Sequence, residues 1–385
     1  MKRNINLYKF YVVFSQALFI WPIQILFFQE KGLNFTEIMI ISSITSIIEM
    51  LMEIPSGMIA DRAGYKKTVL LGLFLTICGY IVLLVSASFG IAVVYGICLA
   101  CGEALISGAD IALLYESHVL EGTVENYGDT IRTAGSLKMF SLAGITLVSG
   151  YTYKINPSMP YVLSIIMLAA AFCVVLSFKE VMGQSEGCKV RNDLHVARKT
   201  FCKNKKMRNI LIIGIMFSLL FLDANYFMQQ YMNVNGIDVI YFGVIFFICN
   251  MISAICFKYS KKIQKFLENK TMIIMDLLLI IIFLIASCVT NYVGVLFLCF
   301  IRVSIAVVNP LLNIYINENI SSGERATMLS VYNAIISVVF AVFDPIIGIC
   351  LDNYGINRVY LILMFIAIIL FCVLLRFKAN DVGVK

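Results

Sequence analysis

Long apolar stretches recurring along the whole chain constrain this protein more than any other feature. Twelve runs, broken by Gly, Pro, Asn and charge, cover roughly 9–29, 37–60, 68–87, 90–115, 132–154 and 160–178. The second set covers roughly 209–232, 239–259, 271–290, 293–317, 326–351 and 358–377. Each is long enough to cross a bilayer as a helix, which takes about 20 apolar residues. Hydrophobic residues make up 61% of the 385 positions and charged residues 14%, against about a quarter charged in a soluble chain. Too few charges remain to cover a water-facing surface. The chain reads as an all-α, multi-pass membrane protein with twelve spans. The first run is too long for a signal peptide and lacks a small-residue cleavage site.

Charge placement orients those spans. With the N-terminus inside, 26 of the 30 Lys and Arg fall in the tails, the even-numbered loops and the inner ends of helices. The outside holds only Lys31, Lys154 and Arg358, and Arg302 alone lies deep in a span. This is the positive-inside asymmetry of a cell-membrane protein with both termini cytoplasmic. The net charge of +7 is therefore spread over every cytoplasmic loop, with no basic face carrying interleaved aromatics, so no nucleic-acid partner is expected. In the central loop, Val190, Leu194, Ala197 and Phe201 recur at helical spacing among basic residues. That pattern fits a short amphipathic helix on the inner leaflet, or a solvated linker.

Twelve Cys are present, ten of them inside apolar stretches, and Cys188 and Cys202 sit in the basic central loop. A disulfide framework is not expected. The Cys98-x-x-Cys101 pair lies mid-span, where Cys behaves as a small packing residue. The two His, His118 and His195, fall outside the apolar runs and build neither a zinc site nor a catalytic pair. No metal, cofactor or enzymatic activity is expected.

Helices 6 and 12 align without gaps at an offset of 199. Phe172-Cys173-Val174 matches Phe371-Cys372-Val373, Tyr161 matches Tyr360, and Phe178-Lys179 matches Phe377-Lys378. Such a repeat fits two parallel six-helix halves, residues 1–178 and 209–385, joined by a cytoplasmic loop at 179–208.

Between the second and third spans the chain reads Gly57-Met58-Ile59-Ala60-Asp61-Arg62-Ala63-Gly64-Tyr65-Lys66-Lys67. Gly57 would allow close helix approach and Gly64 a turn with positive φ. This stretch resembles the loop signature of the major facilitator superfamily, Gly-x-x-x-Asp-Arg-x-Gly-Arg-Lys, with Tyr65 where Arg is usual. Ser107–Glu116, Gln229-Gln230-Tyr231 and Arg325–Ser330 resemble a bacterial drug- and small-molecule-exporter branch of it. The antiporter signature of the fifth helix is mostly missing, with Val148-Ser149 where Gly-Pro would stand. The resemblance implies the twelve-helix fold of that superfamily. It also implies a gate of Gly57, Asp61, Arg62, Gly64, Lys66, Lys67 and Arg325, in which Asp61 meets the start of helix 11.

Charged side chains inside spans are costly and commonly functional or paired. Nine stand out: Glu49, Glu53, Glu103, Asp110, Lys138, Asp223, Asp276, Arg302 and Asp344. Asp110 and Lys138 lie at similar depth and fit a salt bridge. Arg302, Asp223 and Asp344 share a layer and suggest a buried charge network. Glu49 and Glu103 have no Lys or Arg at their level along the sequence and are, with Asp223, candidate proton carriers. Trp21, Gln24, Asn225, Gln229, Asn250, Asn309 and Asn313 are candidates for the wall of a substrate cavity, although many polar groups in spans serve as interhelical hydrogen bonds. Asn309-Pro310 is expected to break helix 10.

The expected function is secondary active transport of a small molecule by alternating access, as proton-coupled export by a monomer. Alternatives are proton-coupled nutrient import and a non-transporting membrane sensor on a transporter fold. No phosphate-binding Gly-x-x-x-x-Gly-Lys loop is present, so ATP does not drive it directly.

Overall fold

The computed structural model describes residues 2–86, 88–181, 205–221, 224–318 and 325–376. The amphipathic segment expected in the central loop lies outside them, as does Asp223. The described residues are helical almost throughout: α1 (Lys2–Ser15), α2 (Gln24–Glu30), α3 (Phe35–Ala63), α4 (Tyr65–Val85), α5 (Phe89–Ile106), α6 (Ala109–Glu121), α7 (Tyr127–Ile155) and α8 (Met159–Leu176). Then come α9 (Lys205–Phe221), α10 (Ala224–Val234), α11 (Ile240–Leu267), α12 (Thr271–Cys288), α13 (Tyr292–Cys299), α14 (Ile301–Glu318), α15 (Arg325–Tyr354) and α16 (Ile356–Arg376).

Among the described residues, ten helical stretches are long and apolar enough to span a bilayer. The two remaining spans of the expected twelve fall on 2–30, which is interrupted, and on the more polar α7. Large apolar side chains such as Leu51, Phe74 and Phe365 are exposed along these helices, as a hydrocarbon surrounding demands.

Local chemistry explains the ends. Asn34 accepts from the Glu37 N–H, while the Glu37 carboxylate accepts from the Asn34 N–H, a reciprocal cap that starts α3. Gly64 takes φ +96° between α3 and α4, the expected turn. Gly57 differs from expectation. A Cβ there would meet nothing within 4 Å among the described residues, so close helix approach is not what this glycine provides here.

Three spans depart from continuous helices among the described residues. The first is interrupted from Gln16 to Ile23, where Pro22 supplies no N–H and no regular ladder forms. The fourth turns at Ser107-Gly108, with Gly108 at φ +84°. The tenth divides at Phe300, while α14 runs unbroken through Pro310. The break that Asn309-Pro310 permits therefore does not form. One missing donor is tolerated when the turns on either side keep their own bonds.

The chain forms two compact units, 1–187 with 238–247, and 188–237 with 248–385. In the first, α4 and α5 cross at Gly72 and Gly102. A Cβ on either would come within 2.7–2.8 Å of the other's carbonyl oxygen, so the backbones touch. Tyr161 is fully buried in an aromatic cluster with Phe27 at 4.2 Å and Tyr80 at 6.0 Å between centroids. In the second unit, its repeat-mate Tyr360 is equally buried, with Phe227 at 6.5 Å, Tyr231 at 5.7 Å and Phe283 at 6.0 Å. The repeat seen in sequence thus recurs as one aromatic hub per unit.

Candidate functional site

In the first unit the intramembrane charges gather where the breaks in the first and fourth spans place them. Tyr8 and Tyr11, three residues apart on α1, share a face. Both side chains are buried and lie within electrostatic reach of the Asp110 carboxylate at the start of α6. Asp110 also accepts from the Ile111 N–H at 2.7 Å. The turn at Gly108 separates Asp110 from Glu103 on α5, giving each its own orientation.

Lys138 on α7 acts electrostatically on both Glu103 and Asp110, without a direct ion pair. Glu103 in turn senses Glu49 of α3 and the buried Tyr95. The Tyr95 hydroxyl accepts from the Gln24 amide at 3.4 Å, at the far side of the break in the first span. Two expectations are corrected. Glu103 has a cation, Lys138 of α7, within electrostatic reach, a neighbour that depth along the sequence does not reveal. Among the described residues Asp110 and Lys138 form no direct ion pair and attract through space instead, while the Asp110 carboxylate accepts the Ile111 N–H. Tyr8, Tyr11 and Tyr95 were missed as site residues. The i, i+3 tyrosine pair in an otherwise apolar run was the available signal.

The interrupted backbone between α1 and α2 is held by two serines. Phe19 N–H donates to Ser164 Oγ of α8 at 2.9 Å, and Ser149 Oγ of α7 donates to the Phe19 carbonyl. Trp21 lies in the same interruption and is 49% exposed. This segment holds Trp21 and Gln24, both expected at a cavity wall, and puts Gln24 against the acid cluster's Tyr95.

The loop-motif residues separate. Asp61, Arg62 and Lys67 are exposed. Lys66, expected at the gate, is engaged within its own unit. Its Nζ donates to the Leu176 and Phe178 carbonyls at 2.8 and 2.7 Å, capping the end of α8, and its N–H donates to Glu180. A Cβ on Gly64 would strike that Glu180 side chain. Arg325 begins α15, and nothing is described of its side chain.

In the second unit Arg302 is half-buried and lies within electrostatic reach of the Cys249 and Cys299 thiols. Asp344 and Gln229 are fully enclosed, Asn250 is half-buried, and Asn309 and Asn313 are exposed. The side chain of Asn225 is outside the described set. Asp276 on α12 is fully buried, and neither of its carboxyl oxygens has a hydrogen-bond partner among the described residues. Among those residues, no three His, Cys, Asp or Glu side chains gather as a metal would require.

Comparison with known proteins follows the same lines. The sequence model of the Major Facilitator Superfamily matches residues 9–343. A Bacillus subtilis (strain 168) protein described as an uncharacterized MFS-type transporter, YxaM, is 22% identical over 382 residues, covering 94% of each chain. The crystal structure of the nucleoside transporter NupG is similar in fold, with TM-score 0.79, 14% identity and coverage of 98% of this chain and 100% of that one. A POT family transporter in complex with a thioalcohol-conjugated peptide gives TM-score 0.73 and 14% identity, covering 99% and 97%.

Proposed function

The chain belongs to the major facilitator superfamily, and from that premise we propose that it is a secondary transporter exporting a small molecule across the cell membrane in exchange for protons. Two six-helix halves would rock about a central substrate site. The observation that supports proton coupling is the sharing of one ammonium group, Lys138, by Glu103 and Asp110, with Glu49 beside Glu103. If all three acids were charged together, a net charge of −2 would stand inside a span, which is costly. Such a cluster is cheapest when protons reside on it, and water reaching it from one side lets a proton leave. Glu103 is the proposed carrier because it alone senses both the cation and a second acid; Glu49 is next. Trp21 and Gln24 at the helix interruption are proposed to contact the substrate.

The test uses the full-length protein in liposomes with a pH-sensitive dye inside. A ligand is first chosen by thermal shift from nucleosides, peptides and lipophilic cations. Glu103→Gln should abolish ligand-driven proton movement yet keep exchange of bound ligand across the membrane. Full proton-coupled flux in both Glu103→Gln and Glu49→Gln would overturn the assignment.

A further inference from the structure

The end of α11 carries a basic face that neither transport nor proton coupling uses. From Ile240 to Phe257 the helix holds no charged residue. At 1.5 Å per residue that stretch is about 27 Å long, close to the thickness of a bilayer's hydrocarbon core. The helix does not stop there. It runs on through Lys258-Tyr259-Ser260-Lys261-Lys262-Ile263-Gln264-Lys265-Phe266-Leu267, which places these residues at the level of the lipid headgroups. Lys258, Lys261, Lys262 and Lys265 follow at intervals of three and four and share one face. All four are exposed, and none has an ion-pair partner among the described residues. No Asp or Glu occurs anywhere in α11. Like charges four residues apart weaken a helix, so this face gains from an anion laid against it. Ile255, Tyr259 and Phe266, also exposed, line up along its flank. The Tyr259 ring holds the Lys258 and Lys262 ammonium groups at 5.8 and 5.3 Å from its centroid, within cation–π range.

We propose that this face of α11 binds an anionic phospholipid, whose headgroup phosphate lies against the lysines while its acyl chains descend past Tyr259 and Ile255. Charge and depth together select that occupant. A soluble anion would use the lysines but not the apolar flank, and an acidic protein segment would have to enter the headgroup layer to reach Lys258. A membrane lipid meets both surfaces without leaving its own leaflet. Lysine stems lie along apolar surface while their heads reach polar groups, and tyrosine sits well at the membrane–water boundary. Clusters of about four or more lysines at the end of a span attract anionic lipid, by a factor of about five for each lysine. In the orientation read from the charge asymmetry, the leaflet is the inner one. The site owes nothing to the acid cluster of the first unit, and its failure would leave the transport proposal standing.

The full-length protein is reconstituted into phosphatidylcholine vesicles carrying a trace of photoreactive phosphatidylglycerol, and cross-linked peptides are mapped by mass spectrometry. Labelling should concentrate on residues 255–266. It should fall when unlabelled phosphatidylglycerol is added and persist when the same amount of phosphatidylcholine or of soluble glycerol phosphate is added. Lys261→Gln with Lys265→Gln should weaken labelling about 25-fold, a factor of about five for each charge, and replacing all four lysines by Gln should abolish it. Arg at all four positions should retain it, because the charge is kept. Equal labelling by a photoreactive phosphatidylcholine would overturn the proposal, and that comparison needs only the native protein. So would labelling that the four-Gln variant leaves unchanged, or displacement by soluble glycerol phosphate.

Discussion

Replacing Ser164 by Ala tests whether the interruption of the first span is held from outside itself. The Ser164 hydroxyl accepts the Phe19 N–H at 2.9 Å while donating to its own helix at Pro160. Without it the Phe19 N–H is buried and unmet, which costs about 1–3 kcal/mol. The chain has no cheap repair. Winding 16–23 into helix would bring Phe19 N–H onto the Ser15 carbonyl, but the Pro22 ring would then press on the Leu18 carbonyl and leave it without a donor. For a unit of 150–250 residues, each kcal/mol moves the thermal midpoint by about 2–4 °C. The expected fall is therefore roughly 2–12 °C. Trp21 is the sole tryptophan and sits inside the interruption, so its emission reports on this segment directly. The assay is thermal unfolding in detergent followed by Trp21 fluorescence, with Ser164→Thr as the control that keeps the hydroxyl. An unchanged midpoint together with an unchanged Trp21 spectrum would refute the reasoning and make the serine a bystander.

Asn34→Ala removes one side of the cap that starts α3 and should cost about 0.5–2 kcal/mol, seen as faster hydrogen exchange at Glu37 and a lower midpoint. Lys154 hydrogen-bonds the Asp238 carboxylate and holds it below its usual value of 3.8. A depressed carboxylate contributes above its unfolded pKa and loses that contribution as pH falls through the folded one. The contact should accordingly persist at neutral pH and release below about pH 4, and Asp238→Asn should erase that dependence in hydrogen exchange at 238–241. For topology, reporters after Lys385 or within 185–200 should be protected from external labelling, whereas tags at Asn156 or Asn353 should react; an external C-terminus would break the twelve-span orientation. A valine at Gly243 would drive its Cβ into the Thr146 backbone carbonyl, so Gly243→Val should lower the midpoint while Gly57→Val, with open space, should not.

Hydropathy alone locates the spans, because crossing a bilayer requires a local sum of apolar residues that no distant neighbour can supply. Family membership was legible for the same reason: the Gly57–Lys67 motif is contiguous, and Gly64 needs only its own φ to make the turn. The acids were visible as isolated charges, and Tyr161 and Tyr360 as a matched pair. What each of these touches was not. A helix that is apolar all round carries no stripe marking which face turns inward, so its azimuth is set by packing. Only the tertiary structure brings Lys138 within electrostatic reach of Glu103 and Asp110, and Tyr8 and Tyr11 within reach of Asp110. It alone puts Cys249 against Met228, and Lys66 on the end of α8. The interruption in the first span is of the same kind. Pro22 makes a break permissible, but the serines of α7 and α8 satisfy the freed backbone and make it stable, and they lie 130 and 145 residues away in the chain.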